Sequence, residues 1–113
     1  DRIIKPQTGI AMKQILENDG WCDDDQSANY NRPVKLPYKG SHEKMARTDR
    51  LYDVCIVLDY NIKPVKRGKG SAIFFHQTSK TLDPTAGCIA INPDDMRRML
   101  PYLTEKSVLQ VVM

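Results

Sequence analysis

The most informative part of the chain for its fold consists of an apolar segment, a loop and a second apolar segment. Residues 71–76 read Ser-Ala-Ile-Phe-Phe-His, and residues 85–91 read Thr-Ala-Gly-Cys-Ile-Ala-Ile. Short runs rich in β-branched and aromatic residues are typical of strands. The intervening positions 77–87 are long enough for a loop that returns one strand beside the other. The sequence therefore predicts that His76 and Cys88 lie close together on adjacent strands.

A cysteine and a histidine in this arrangement are candidates for nucleophilic catalysis. A free thiol has a pKa of about 8.5, so a cysteine nucleophile needs a nearby base or cation at neutral pH. His76 can be that base, and Gly87 lets the backbone approach a substrate so that nearby N–H groups face a developing oxyanion. The alternative from spacing alone is that Cys88 is a small buried apolar residue and His76 a core histidine.

The surrounding sequence predicts further strands on either side of this pair. Residues 52–60 are rich in Val, Ile and Leu and predict a strand, followed by a basic turn over residues 63–70. In the strand predicted over residues 87–91, alternation puts Cys88 and Ala90 on the face opposite Ile89 and Ile91. That arrangement gives the nucleophile a core on one side and a cleft on the other.

A helix is predicted directly after this strand. Asn92 is a good N-cap, Pro93 suits the first helical position, and the acidic residues that follow lie at the positive end of the helix dipole. An apolar stripe predicts a core-facing side, which Pro101 should kink or end. The stripe consists of Met96, Met99, Leu100 and Leu103. A final strand is predicted over residues 108–112.

The N-terminal half has weaker signals. The first twenty residues fit neither a helical nor a strand period. Residues 20–40 contain Asp, Asn, Pro and Gly throughout and predict a long ordered loop, either functional or a surface loop held by Trp21 and Tyr30. Residues 41–45 predict a short helix with Ser41 as its N-cap.

Composition indicates an ordinary globular chain. It has 113 residues, 41% apolar and 27% charged, which is typical of one domain. The net charge of +3 aids solubility or attracts an anionic partner such as cell-wall polymer or nucleic acid. No apolar run approaches the roughly 18 residues of a membrane span. Of the three cysteines, Cys22 and Cys55 could pair, stay reduced or pair elsewhere.

At the His76 and Cys88 segments the chain resembles the L,D-transpeptidase (YkuD-type) catalytic domain, in its short-spacer branch. That family has a histidine, a variable spacer, then Ser/Thr-x-Gly-Cys and apolar residues, which residues 85–89 match. The resemblance extends from about Gly20 to the C-terminus. Other matching segments are residues 20–24, 30–33, 41–43, 51–54 and 58–61.

The resemblance implies a fold and a function. It implies a mainly β domain with short helices (α+β), a β-sandwich spanning residues 1–113 as a single catalytic domain, N-terminally truncated because the family has further strands upstream. It implies a cysteine L,D-transpeptidase of the bacterial envelope or periplasm, which cross-links peptidoglycan stem peptides 3→3 and so serves cell wall organisation and cell shape. No cofactor or metal is implied. The spacing of His42, Cys22 and Cys55 does not favour zinc either.

The resemblance also implies roles for individual residues. Cys88 is the nucleophile, His76 its base and Gly87 part of the oxyanion site, and the backbone carbonyl of Gln77 orients His76. Candidate substrate-binding residues are Tyr60, Asn61, Gln77, Thr85 and Ala86. Tyr60 and Asn61 are candidates because they end the predicted strand beside the site, and the alternative is that Asn61 only turns the chain at the strand end. The family often has His at the position of Ala86 and Arg at that of Ala90, so recognition of a substrate carboxylate differs here.

Other functions fit the same residues. An L,D-carboxypeptidase or amidase-type hydrolase would use every residue named above and differ only in whether water or an amine resolves the thioester. A non-catalytic wall-binding module would make Cys88 structural. Nucleic-acid binding ranks lower, because the basic residues are scattered and have no aromatic module around them. The sequence predicts no oligomeric state.

Overall fold

The computed structural model describes residues 8–78 and 87–112. Within these ranges the chain forms two three-stranded sheets, one α-helix and one 3-10 helix. The elements in chain order are β1 (Asp19–Cys22), β2 (Pro33–Lys35), β3 (His42–Lys44), β4 (Cys55–Val57), β5 (Phe74–Gln77), β6 (Ile89–Ile91), α1 (Pro93–Met99) and the 3-10 helix (Leu100–Tyr102). This mainly β architecture with short helices confirms the predicted fold class.

The first sheet lies in a segment for which the sequence predicted a loop. Its strand order is β2-β1-β3 with both pairs antiparallel, so the prediction of a continuous loop over residues 20–40 was wrong. The turn-forming residues concentrate in the connection between β1 and β2. Pro33 begins an edge strand, where its missing N–H breaks no ladder hydrogen bond. Trp21 and Tyr30 are both buried; the Trp21 indole donates to Asn31 in this connection, and the Tyr30 hydroxyl accepts from the backbone N–H of Gly70.

The short helix predicted at residues 41–45 is also wrong, because this segment forms strand β3. The Ser41 hydroxyl donates to Asp23 Oδ1 at 2.6 Å instead of capping a helix. In the antiparallel register Glu43 lies opposite Trp21, so both side chains project from the same face of the first sheet. The pairing with β1 overrides the local capping signal.

The second sheet contains β5 and β6, the strands predicted around His76 and Cys88. Its order is β4-β5-β6, antiparallel between β4 and β5 and parallel between β5 and β6. The observed strands are shorter than predicted, since only Cys55–Val57 of residues 52–60 is in the ladder. The predicted alternation is confirmed: Ile89 and Ile91 pack on one side with Phe75, while Cys88 packs on the other with Phe74.

Helix α1 covers the side of the second sheet that bears Phe75. The Asn92 side chain caps the helix by accepting from the backbone N–H of Asp95 at 2.8 Å. Met96 and Leu100 are buried against Phe75, and the partly buried Met99 and Leu103 complete the predicted stripe. The α-helix ends at Met99, and Pro101 lies in the 3-10 helix that follows, as its ring geometry predicts. Neither helix in the described ranges is long and apolar enough to cross a bilayer.

The strand predicted over residues 108–112 is absent. In residues 8–78 and 87–112 it pairs with no other strand, and Val108 and Val112 are exposed. A β-branched composition favours an extended chain, but a strand also needs a partner edge.

The two sheets share a core on the opposite side of the second sheet from α1. The indole of Trp21 in β1 meets the ring of Phe74 in β5 edge to face, with centroids 5.1 Å apart. Tyr52 packs on the same phenyl ring at 5.7 Å, and Met45 and Ala72 complete the buried cluster. The side of the second sheet that bears Cys88 and His76 therefore faces the first sheet.

Candidate active site

His76 lies in the middle strand of the second sheet and is buried. Its Nδ1 lies 2.7 Å from the backbone carbonyl oxygen of Gln77. Because a carbonyl only accepts, we assign the ring proton to Nδ1, which leaves Nε2 as the basic nitrogen. This is the carbonyl that the sequence analysis named for orienting the imidazole.

Cys88 lies immediately before β6, on the same face as His76. The parallel register pairs His76 with Ala90, two residues after Cys88. Strand spacing and rise put the Cα atoms of His76 and Cys88 about 8 Å apart, so two side chains on one face can meet. The half-buried thiol donates to the carbonyl of Ala72, with Sγ 3.2 Å from the oxygen.

The surroundings of Cys88 keep its thiol protonated at rest. Burial raises its pKa above the ordinary value, and the negative charge of Glu43 adds to the increase. The backbone N–H of Phe74 acts in the opposite direction, because it stabilises the thiolate. Attack by Cys88 therefore requires a base that takes the proton, rather than a preformed thiolate.

A second thiol flanks His76 on the other side. Cys55 in β4 lies directly opposite His76 in the antiparallel register and projects from the same face. Burial raises the pKa of Cys55 to about 12, with smaller contributions from Cys88 and Glu43. None of the three cysteines is in a disulfide bond.

Tyr52 and Glu43 adjoin this pair, and the sequence analysis did not single either of them out. The Tyr52 ring lies 5.3 Å from the His76 ring, centroid to centroid, and its hydroxyl donates to Glu43 Oε1. The Arg47 guanidinium stands 5.0 Å from the Tyr52 centroid. Glu43 was hidden by the helix prediction, and Tyr52 is only the first residue of the predicted strand.

Asn31 is a third residue that the sequence analysis left without a role. It is buried with φ of 57°, and its Oδ1 accepts from Trp21 Nε1 at 3.0 Å and from the backbone N–H of Ala72 at 3.2 Å. Its Nδ2 donates to the Asn61 carbonyl at 2.7 Å. Asn31 therefore fixes the residue whose carbonyl receives the Cys88 thiol proton. Asn is among the residues that adopt this backbone conformation most readily. That preference is consistent with the position of Asn31 but was not enough to identify it from the sequence.

Gly87 precedes the thiol with φ of 104°, a conformation that favours glycine. A Cβ atom at this position would lie 3.1 Å from Ile73 Cδ1. The neighbouring site residues Thr85 and Ala86 lie outside the described residues.

The proposed substrate-binding residues Tyr60 and Asn61 lie after β4. Tyr60 is exposed, whereas the Asn61 side chain is used within the basic turn. Its Nδ2 donates to the carbonyls of Lys66 and Gly70, each at 2.9 Å, and its Oδ1 accepts from the Lys66 N–H at 2.8 Å. These contacts give Asn61 a structural task in shaping the turn.

An open, mostly apolar groove of about 380 Å³ lies between the first sheet and the end of β4. Val57, which faces the same side as Phe74, forms part of it. Its lining residues are Trp21, Asn31, Arg32, Pro33, Val57, Asp59, Ile62 and Lys63. Among the residues that the structure describes, no group of three His, Cys, Asp or Glu side chains is arranged to hold a metal ion.

Comparison with known proteins agrees with these features. The sequence profile of the YkuD family, the L,D-transpeptidase catalytic domain, matches residues 1–112. No curated protein and no solved structure matches the chain. Because the profile covers essentially the whole sequence, the chain belongs to the YkuD family of L,D-transpeptidase catalytic domains.

Proposed function

We propose that this chain is a cysteine L,D-transpeptidase that acts on peptidoglycan stem peptides through a thioester at Cys88. The observation that carries the proposal is the strand register. It puts the only histidine of the second sheet and a thiol near Gly87 on one face, with the imidazole oriented through Nδ1. Family membership supports acyl transfer as the reaction and the cell envelope as the location.

In the first half-reaction His76 Nε2 removes the proton of Cys88 as Sγ attacks the amide carbonyl of the donor stem. The C–S bond forms and the carbonyl π electrons move to oxygen. Backbone N–H groups around Gly87 and Cys88 stabilise that oxyanion. Collapse of the intermediate breaks the C–N bond. His76 returns its proton to the leaving amine, which departs as D-alanine and leaves the thioester.

In the second half-reaction an amine of a neighbouring stem attacks the thioester. His76 accepts the proton from the amine, and the thiolate of Cys88 leaves and recovers that proton. The product is a 3→3 cross-link. Water in place of the amine would give a carboxypeptidase, with the same residues in the same roles.

The test is acylation by a carbapenem, measured by intact mass. Parent protein and the matched control Cys55→Ala should each gain one carbapenem, whereas Cys88→Ala should gain none. An adduct on Cys88→Ala, or none on the parent, would contradict the proposal. Incubation with tetrapeptide stems then separates the two reactions, because dimeric products identify a transpeptidase and tripeptides alone a hydrolase.

A further inference from the structure

We propose that Tyr52 and Glu43 form a positioning pair for His76, in which a hydrogen bond from the phenol to the carboxylate holds the aromatic ring against the imidazole and fixes the orientation of the catalytic base. This inference rests on the proposed function, since it assigns His76 the part of base toward Cys88. It adds two residues to the site from a different sheet and a different loop.

The Tyr52 ring is held on several sides. It is buried, its edge-to-face contact with Phe74 spans 5.7 Å between centroids, and its hydroxyl donates to Glu43. The Arg47 guanidinium packs on the ring 5.0 Å from the centroid. A ring held in this way offers His76 one fixed surface.

Glu43 is itself held in place by the first sheet. Its position opposite Trp21 in β3 projects its carboxylate toward the second sheet. Arg47 Nη1 lies 3.5 Å from Glu43 Oε1, and the same guanidinium also binds Asp49 through Nε at 2.9 Å. The carboxylate of Glu43 in the first sheet thus connects through the Tyr52 phenol to His76 in the second sheet.

The imidazole needs this second constraint. The hydrogen bond from Nδ1 to the Gln77 carbonyl fixes one ring atom, but it leaves the plane of the ring free to tilt about that bond. The Tyr52 ring lies at an interplanar angle of 66° to the imidazole and limits that tilt. A base that is displaced by about 1 Å loses on the order of a hundredfold in rate, so such a limit has catalytic consequences.

The phenol acts here as a support rather than as an acid or base. Burial and the hydrogen bond to Glu43 raise the pKa of Tyr52 above its ordinary value, so the ring stays neutral over the working range. Within residues 8–78 and 87–112, the titratable and charged groups around His76 are Cys55 in β4, Cys88 before β6, Tyr52 and Glu43, with Arg47 and Asp49 behind them.

Two measurements that need no cell-wall substrate test the pair. The first is the rate of Cys88 alkylation by iodoacetamide at pH 7, assigned by peptide mapping. The second is the tautomer of His76 from its ring nitrogen NMR shifts, which are simple to assign because the chain has two histidines. Thermal unfolding of each variant serves as the check on folding.

The informative variant is Tyr52→Phe, which keeps the ring and removes only the hydroxyl. We expect alkylation of Cys88 to slow about tenfold and the His76 shifts to indicate a mixture of tautomers. Glu43→Gln keeps an acceptor oxygen for the phenol, so the single tautomer should persist. Tyr38→Phe is the matched control: Tyr38 also contacts a histidine, His42, with ring centroids 6.0 Å apart, and it should change neither measurement.

Wild-type alkylation and a single tautomer in Tyr52→Phe would overturn the positioning role. A tenfold loss of rate with an unchanged tautomer would also overturn it, because the effect would then be on folding or access. If carbapenem acylation fails while both Tyr52→Phe effects appear, the proposed function fails and the positioning of His76 stands.

Discussion

His76 has a cysteine on each side, and the two sides differ in what they allow a thiol to do. Cys55 is nearer in register, since it lies directly opposite His76, while Cys88 is offset by two residues from the opposite position. Burial raises the pKa of both thiols, yet only Cys88 also receives a backbone N–H, from Phe74, that stabilises its thiolate. The proposed choice of Cys88 over Cys55 as nucleophile therefore rests on ease of ionisation rather than on backbone proximity to His76.

The difference between the two sides also shows in what surrounds each sulfur. Cys88 follows a glycine in the left-handed region and donates to the Ala72 carbonyl, which Asn31 holds in place. Cys55 is also partly buried and packs against the same cluster as Cys88, but it lies at the start of a regular strand. The irregular backbone before β6 therefore surrounds Cys88 with oriented partners, whereas Cys55 lies in a regular ladder.

The difference in reactivity between Cys55 and Cys88 can be tested directly by labelling both thiols in the folded protein. With a pKa of about 12, Cys55 is about 0.01% ionised at pH 8, so its alkylation should be about a thousandfold slower than in the unfolded chain. Cys88 should be labelled first. Mass mapping after timed iodoacetamide exposure measures both rates, with protein in urea as the reference. Preferential labelling of Cys55 would reverse the assignment.

Substitution of His76, the proposed base, should slow the reaction of Cys88 but not that of Cys55. We expect His76→Gln to slow acylation of Cys88 by a carbapenem about a hundredfold at pH 7, because the protonated thiol then lacks a proton acceptor. Labelling of Cys55 should not change, since its low reactivity comes from burial. The rate is obtained by stopping the acylation reaction at successive times and measuring the acylated fraction by intact mass. The prediction does not survive if His42→Gln, a control on the surface, slows the reaction equally.

The decrease in the free energy of unfolding at alkaline pH should depend on Cys55. Its folded pKa of about 12 exceeds the unfolded value of about 8.5, so the stabilisation from the neutral thiol is complete below pH 8.5 and is lost as pH rises toward 12. Between pH 8.5 and 10 this amounts to about 2 kcal/mol in the free energy of unfolding. Urea unfolding of parent and Cys55→Ala at both pH values measures it. If the free energy of unfolding falls by the same amount between the two pH values in both proteins, ionisation of Cys55 is not the cause.

The smallest effect is expected at the glycine beside Cys88. Gly87→Ala puts a Cβ 3.1 Å from Ile73 Cδ1 at a positive φ, and we expect a cost of about 1 kcal/mol in stability with slower labelling of Cys88. Gly68→Ala is the matched control, because Gly68 also has a positive φ of 75° but no neighbour within 4 Å. It should cost similar stability and leave Cys88 labelling unchanged. The same loss of labelling in both variants would show that Gly87 has no specific role.

Local patterns were enough to predict the second sheet and its helix. The alternation of Ile89 and Ile91 with Cys88, and the capping of α1 by Asn92, each depend on neighbours within a few residues. The first sheet was missed for the opposite reason. Its strands have three or four residues and are separated by turn-forming segments, so their pairing partners, not their own sequence, make them strands.

Consecutive residues alone were enough to predict the apolar segments, the face of the strand on which Cys88 lies and the candidate base beside it, because side chains alternate along a strand with a period of two. The packing of the two sheets was needed to bring Tyr52 against His76 and Glu43 against Tyr52, to let Asn31 anchor Ala72, and to raise the pKa of Cys55 to about 12 through burial. Burial and the hydrogen bonds between distant segments arise when two sheets pack together, and no local pattern contains that information.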